Sequence, residues 1–414
     1  MLYHSHELGR FALQPARLMA EAGQYVISNP FNPWSQTWAG KAVSAALTLF
    51  EETTRRFDKP EFGLHHTVID GEEVAVTEEI VGRRTFCQLK HFVREGRTNN
   101  PAHPDPRLLI VAPLSGHYAT LLRGTVESLL PDHDIYITDW RNARDVPVSE
   151  GRFDLDDYVD YIREYLRLLG PNTHVMAVCQ PAVPVFAAVA LMSQDDDPCV
   201  PASMTLMGGP IDTRKSPTAP NRLAKERPYE WFEQKLITTV PPTAPGFMRK
   251  VYPGFLQLTG FLAMNWDRHV ESHLNYFNQL VEGDGDSAQK HREFYEEYMA
   301  VMDLPAEYYL QTIRVVFQEH LLPRGMMVHR DRLVKPEAIR KTALLTVEGE
   351  KDDISGPGQT QATHGLCINL PEAMRRDYVQ PGVGHYGVFN GRRWHGEIAP
   401  RVRAFIREFD RPRG

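Results

Sequence analysis

The chain has 414 residues, 42% of them apolar and 24% charged, with a formal net charge of −7; this suits a globular protein of several domains, or one large domain with an insertion, and argues against nucleic-acid binding as a main role. No apolar run approaches the roughly 18–20 residues of a membrane span, and the start Met1–Phe11 has neither the basic opening nor the apolar core of a signal peptide. Cys87, Cys179, Cys199 and Cys367 are scattered without paired spacing, which suits a reducing cytoplasm and argues against a disulfide scaffold or a zinc site.

Residues 1–60 are expected to be mainly helical. Leu8, Phe11, Leu18, Met19 and Ala22 recur at helical spacing, with Pro15 interrupting. Asn29–Trp34 reads as a loop, and a second helix runs over Ala39–Thr53 with Val43, Ala46, Leu47 and Phe50 on one face. These faces read as packing on a core; left exposed, they would instead mark docking on an apolar surface. Residues 61–100 read as strands. Val68–Val74 is a hairpin around Asp70-Gly71, Phe86–Phe92 alternates apolar with polar residues, and Asn99–Pro106 is a linker loop.

From Leu108 strands and helices alternate. Strands are expected at Leu108–Ala112, Ile135–Thr138, Val175–Val178 and Met204–Met207, with helices over Leu155–Leu169 and from Pro181 to about Met192. This rhythm predicts a parallel sheet covered by helices on both faces. Residues 213–340 break it. They are rich in aromatics and methionines, and read as a mostly helical inserted cap whose aromatics mainly form its own core while a minority line a substrate groove. The sheet resumes at Ala343–Val347. A helix is expected over Gln361–Leu370, a last strand at Tyr378–Val379 and a closing amphipathic helix over Ile398–Phe409. The expected organisation is an N-terminal segment with leading strands (1–100), a core in two parts (101–212 and 341–414) and the cap (213–340).

Val175–Val185 carries the chemistry. An apolar run reaches Cys179, then Gln180, Pro181 and an Ala/Val-rich stretch. That outlines a buried strand, a sharp turn and a helix, the arrangement that presents the nucleophile of an α/β-hydrolase, usually written G-x-S-x-G. Cys179 takes the serine position; Ala177 and Pro181 take the glycine positions. Proline in a first helical turn loses no hydrogen bond, and the helix N-terminus favours a thiolate. From this stretch alone a buried, inert cysteine stands as an equal alternative.

Two later strand ends add an acid and a base: Asp352, with Asp353 as the alternative, and His385 between glycines. Nucleophile, acid, histidine is the chain order of α/β-hydrolases, and residues just past parallel strand ends converge on one edge of the sheet. Cys179 would attack an ester carbonyl, His385 would carry the proton and Asp352 would orient the ring. The N–H of Gln180 and a second from Leu114 or Ser115 would hold the oxyanion. His117, His364 and His395 are other candidate bases; either aspartate could be a helix cap, and Cys199 and Cys367 look structural.

At these residues the chain resembles the intracellular polyhydroxyalkanoate (poly(3-hydroxybutyrate), PHB) depolymerases. The matching pieces are Val111–Tyr118, Ile137–Ala143, Ala177–Pro181, Gly349–Gly356 and Pro381–Phe389. The resemblance implies an α/β-hydrolase fold, Cys179 as nucleophile, Asp352 as acid, His385 as base, no cofactor or metal, and amorphous polyester granules in the cytoplasm as polymeric substrate and partner. Self-association into a homo-oligomer is compatible with the sequence. The related synthases normally keep glycines around their cysteine, so Ala-Val-Cys-Gln-Pro at 177–181 favours the depolymerase. A coenzyme A-dependent acyltransferase and a non-catalytic granule-surface protein are the alternatives.

Overall fold

The structure, a computed structural model, describes residues 2–29, 31–98, 105–264, 266–282 and 284–411; most of the linker expected over 99–106 lies outside them. Helices α1 (Leu2–Ile27) and α2 (Trp38–Thr54) come first, followed by strands β1 (His66–Ile69), β2 (Glu72–Arg83) and β3 (Cys87–Arg94). Then come β4 (Arg107–Val111), α3 (Arg123–Leu129), β5 (Asp134–Trp140), α4 (Leu155–Leu169), β6 (Thr173–Val178), α5 (Ala182–Gln194) and β7 (Ser203–Met207). Helices α6 (Ala219–Glu226) and α7 (Tyr229–Leu236) lead to short strands β8 (Thr238–Thr239) and β9 (Lys250–Tyr252), then α8 (Gly254–Met264), α9 (Trp266–Glu282) and α10 (Gly285–Met299). Next are β10 (Leu304–Pro305), α11 (Ala306–Thr312), β11 (Val328–His329), β12 (Arg332–Leu333) and β13 (Ala343–Gly349). The chain closes with α12 (Thr363–Leu366), β14 (Arg375–Gln380), α13 (Gly391–Arg393) and α14 (Ala399–Phe409).

Nine strands form the main sheet in the order β1-β2-β3-β5-β4-β6-β7-β13-β14. From β5 to β14 every pairing is parallel, and β3 runs antiparallel to both of its neighbours. A leading antiparallel meander, β1 to β3, beside a doubly wound parallel run, with a long excursion between the neighbours β7 and β13, is the α/β-hydrolase architecture. That excursion is not purely helical, because β8, β9 and β10 form a small sheet of their own.

Local signals explain the elements around the site. The β1–β2 hairpin turns at Asp70 (φ 54°) and Gly71 (φ 87°), the left-handed pair that a two-residue hairpin needs. In α4, Asp154 and Asp157 cap each other's backbone N–H groups, and Gly170 (φ 85°) ends the helix. Helix α5 is buried all round from Ala182 to Met192. Each large apolar side chain buried there contributes roughly 1.5–3 kcal/mol, which holds rigid the helix that starts at the cysteine turn.

Some expectations need correction. Pro15 does not interrupt α1; it removes one backbone bond, from a carbonyl on the water-facing side. Leu8, Phe11, Leu18, Met19 and Ala22 are not packed on a core but exposed, and the buried residues of α2 are Gly40, Ala45 and Thr48 rather than Val43, Ala46, Leu47 and Phe50. The helix expected over Gln361–Leu370 shrinks to Thr363–Leu366, because the Glu348 carboxylate takes the N–H groups of Gly358, Thr360 and Gln361 and fixes a turn there.

Three buried histidines predict how stability follows pH. Burial pushes His117 and His133 down to about 4, so as pH falls from 6.5 towards 4 the unfolded chain takes protons that the folded chain refuses. Each therefore removes up to about 3 kcal/mol of stability over that window. At His329 burial also opposes charge, but hydrogen bonds to Asp156 and Asp160 outweigh it and raise the pKa to about 9. Its contribution is present below 6.5 and is lost as pH rises through 9. Unfolding free energies measured from pH 4 to 9 should pass through a maximum near neutrality, and His133→Asn should flatten the acid limb.

Candidate active site

Strand β6 delivers Cys179 into a left-handed turn, φ 69°, a conformation costing a non-glycine residue roughly 1 kcal/mol or more. Neighbouring backbone over-determines it. The Cys179 N–H donates to the Met207 carbonyl at 2.7 Å, and the Ala182 N–H donates to the Cys179 carbonyl at 3.1 Å. Pro181 stands at the cap of α5, one position before the first helical turn. Gly209 allows the close approach: a Cβ there would lie 2.1 Å from the Ala182 Cβ and 3.1 Å from the Cys179 carbonyl oxygen. Cys179 itself is only part-buried, whereas Cys87 and Cys367 are buried, and burial pushes the Cys367 thiol up to about 12.

The acid and the histidine come from the ends of β13 and β14. Gly349 lets the two loops meet, since a Cβ there would lie 2.8 Å from the Val383 carbonyl oxygen. Asp352 Oδ1 accepts from the N–H groups of Ile354 (2.9 Å) and Ser355 (2.7 Å), and Oδ2 lies 2.7 Å from His385 Nδ1. Both side chains are buried. Asp353, the alternative acid, is exposed. Burial opposes a charge on His385. The Asp352 carboxylate and the nearby Cys179 sulfur reverse that, and the imidazole pKa stands well above its ordinary range. Gly208, φ 55°, lies against the pair: a Cβ there would be 3.2 Å from His385 Cε1 and 3.3 Å from Asp352 Oδ2.

The loop after β4 completes the site. Leu114 and Ser115 line the same cavity as Cys179, Gln180 and His385. Among the described residues no acceptor takes the N–H of Leu114, Ser115 or Gln180, so these donors are free for an oxyanion. Gly116 (φ 107°) turns the loop beneath the Gln257 side chain, and its carbonyl accepts from the Met302 N–H at 2.7 Å. The cavity holds about 500 Å³ and is mainly apolar, with Leu223, Phe232, Tyr252, Phe317 and Phe389 in its wall. Of the other candidate bases, His117 is buried against the Tyr298 carbonyl (3.1 Å), His364 faces Thr346 Oγ1 (2.8 Å) and His395 faces Ser128 Oγ (2.6 Å). No cluster of three or more His, Cys, Asp or Glu among the described residues has metal-site geometry. Sequence reasoning missed Gly208, Gly209, Gln257, Tyr308 and Thr312. The glycine pair after β7 was a usable signal; the others had none within an aromatic-rich stretch.

Residues 208–410 match the family model described as "PHB de-polymerase C-terminus". No curated protein matches the chain by sequence. Among solved structures, a thermophilic esterase from Thermogutta terrifontis aligns with 84% of this chain and 98% of its own at 13% identity and a TM-score of 0.41. A monoacylglycerol lipase from Paleococcus ferrophilus aligns with 74% and 96% at 12% identity and 0.42. A meta-cleavage product hydrolase from Pseudomonas fluorescens IP01 aligns with 83% and 97% at 13% identity and 0.42. At such scores these likenesses carry no weight for chemistry, and the fold assignment rests on the strand order above.

Proposed function

We propose that the chain is an ester hydrolase that cleaves stored amorphous poly(3-hydroxybutyrate) through an acyl-cysteine intermediate on Cys179, a reading supported by the match of residues 208–410 to the PHB depolymerase family model. The observation that supports this reading is one buried imidazole, His385, paired with Asp352 at 2.7 Å and lining the same cavity as Cys179. His385 takes the thiol proton and the thiolate attacks the ester carbonyl. The N–H groups of Gln180 and of Leu114 or Ser115 receive the oxyanion. As the tetrahedral adduct collapses, His385 returns the proton to the departing alkoxide, leaving a thioester. Acylation removes the sulfur's charge, and with it one of the influences holding the His385 pKa up. The ring, still buried, then becomes the neutral base that deprotonates water for hydrolysis. The test is product release from amorphous granules. Free 3-hydroxybutyrate or its oligomers should appear equally with and without coenzyme A; release that depends on coenzyme A would refute simple hydrolysis.

The granule surface is the proposed partner, and the cytoplasm the proposed compartment, in keeping with four free thiols. No helix among the described residues is long and apolar enough to cross a membrane. Support for surface docking comes from α1, where Leu8, Phe11, Leu18, Met19 and Val26 stand exposed along one face, while Arg10, Arg17 and Glu21 fall on the opposite side. Phe31, Trp34 and Trp38, next along the chain, are exposed as well. An uncharged stripe of this kind suits a phase with no charge to recognise. Tyr3 ties it to the cap: its hydroxyl donates to Asp303 (2.7 Å) and its ring packs edge-on against Phe255 of α8. Phe11→Glu with Leu18→Glu should lower the ratio of granule to soluble-ester turnover at least tenfold. An unchanged ratio would remove α1 from granule recognition.

A further inference from the structure

Four polar atoms in the wall of the catalytic cavity are buried and unpartnered: Tyr308 Oη, Thr312 Oγ1, Gln180 Oε1 and Gln257 Oε1. Tyr308, Thr312 and Gln180 are each at least nine-tenths buried. Leaving such a group without a hydrogen bond is unfavourable, and folded proteins keep few of them. Thr312 and Gln180 sit near enough to the Tyr308 hydroxyl to moderate the strong upward push that burial gives its pKa, yet none of the three completes a hydrogen bond with another. Tyr308 and Thr312 are four residues apart on α11, so their hydroxyls share one face. Both can donate, and the rest of the wall around them is largely apolar.

A cavity of about 500 Å³ exceeds what one four-carbon repeat needs and falls within the range of sites that enclose larger ligands. The complement of two donors in an apolar wall is a neutral acceptor such as an ester carbonyl. We propose that Tyr308 and Thr312 form a second ester-recognition point, donating to the carbonyl of the repeat next to the one joined to Cys179. This rests on the hydrolase reading above and adds to it that the enzyme measures its substrate by a second repeat. No covalent step is involved.

The test compares kcat/KM for soluble aryl esters carrying one and three 3-hydroxybutyrate repeats, using the full chain. The wild type should favour the longer ester. Tyr308→Phe and Thr312→Val should each reduce that preference several-fold and together about tenfold, mainly through KM for the longer ester, as expected for the loss of neutral hydrogen bonds. Both substitutions keep shape and remove a group that has no partner, so melting temperature should hold or rise. Should Tyr308→Phe fail to fold, Thr312→Val alone must still lower the preference. A wild type without length preference, or a preference that survives both substitutions, overturns the recognition point alone; the hydroxyls would then hold at most water. A wild type inert on both esters overturns the hydrolase reading with it.

Discussion

Replacing Cys179 with alanine is expected to lower ester turnover by at least about 10⁴-fold, the scale seen when an acyl-transfer nucleophile is deleted. The fold should survive. Alanine keeps the Cβ, so the left-handed turn at φ 69° is no more strained than before, and the bonds from Cys179 N–H to Met207 and from Ala182 N–H to Cys179 are backbone bonds that the substitution leaves in place. Loss of activity with an unchanged melting temperature is therefore the expected pair of readings. Activity within tenfold of wild type would mean that another group attacks the ester. Cys179→Ser should recover little, because a hydroxyl is far harder to ionise beside His385 than a thiol.

Asp352→Asn is expected to lower kcat by about 10³–10⁴-fold, comparable to the cost of neutralising the buried acid in other triads. Asparagine preserves an oxygen for the Ile354 and Ser355 N–H groups, so the loop should hold while the negative charge is lost. The sign of the accompanying pH effect follows from the environment of His385. In the wild type, burial disfavours its charge but Asp352 and Cys179 more than compensate, so the ring stays protonated well above pH 6.5. Without the carboxylate, burial dominates, the imidazolium deprotonates at lower pH, and the ring no longer offers a positive charge to a thiolate forming on Cys179. Alkylation of Cys179 by iodoacetamide should thus be fast at neutral pH in the wild type and require markedly more alkaline solution in Asp352→Asn. Asp353→Asn, at the exposed neighbour, should alkylate like the wild type. If the two variants behaved alike, Asp352 would not be the orienting acid.

How far the molecule could be read from its residues depended on how local each signal was. The apolar run into Cys179 and the capped helix Leu155–Leu169 are written in consecutive residues, and both elements form where expected. Parallel strand ends then bring distant residues to one edge, which is why Cys179, Asp352 and His385 can be grouped from the sequence. Adjacent Asp352 and Asp353 are chemically equivalent in the sequence; only the turn after Gly349, with its two N–H groups on Oδ1, separates a buried partner of His385 from an exposed neighbour. The periodicity of α1 predicted a helix but could not say whether anything covers its apolar face. Tyr308 and Thr312 were invisible for a related reason. Their meaning lies in the missing partners, and a missing partner is a property of the packed cavity rather than of the helix that carries them.

The central claim is a covalent one: the acyl group of the substrate rests for part of each turnover on the sulfur of Cys179. It is tested most directly by acid-quenching the enzyme during steady-state turnover of a soluble 3-hydroxybutyrate ester and mapping the peptides by mass spectrometry. The peptide containing Cys179 should carry one 3-hydroxyacyl unit, removable by neutral hydroxylamine and absent from Cys179→Ala. An acyl group found on Ser115 or another residue instead, or active enzyme whose Cys179 peptide stays unmodified even in Asp352→Asn, would contradict it.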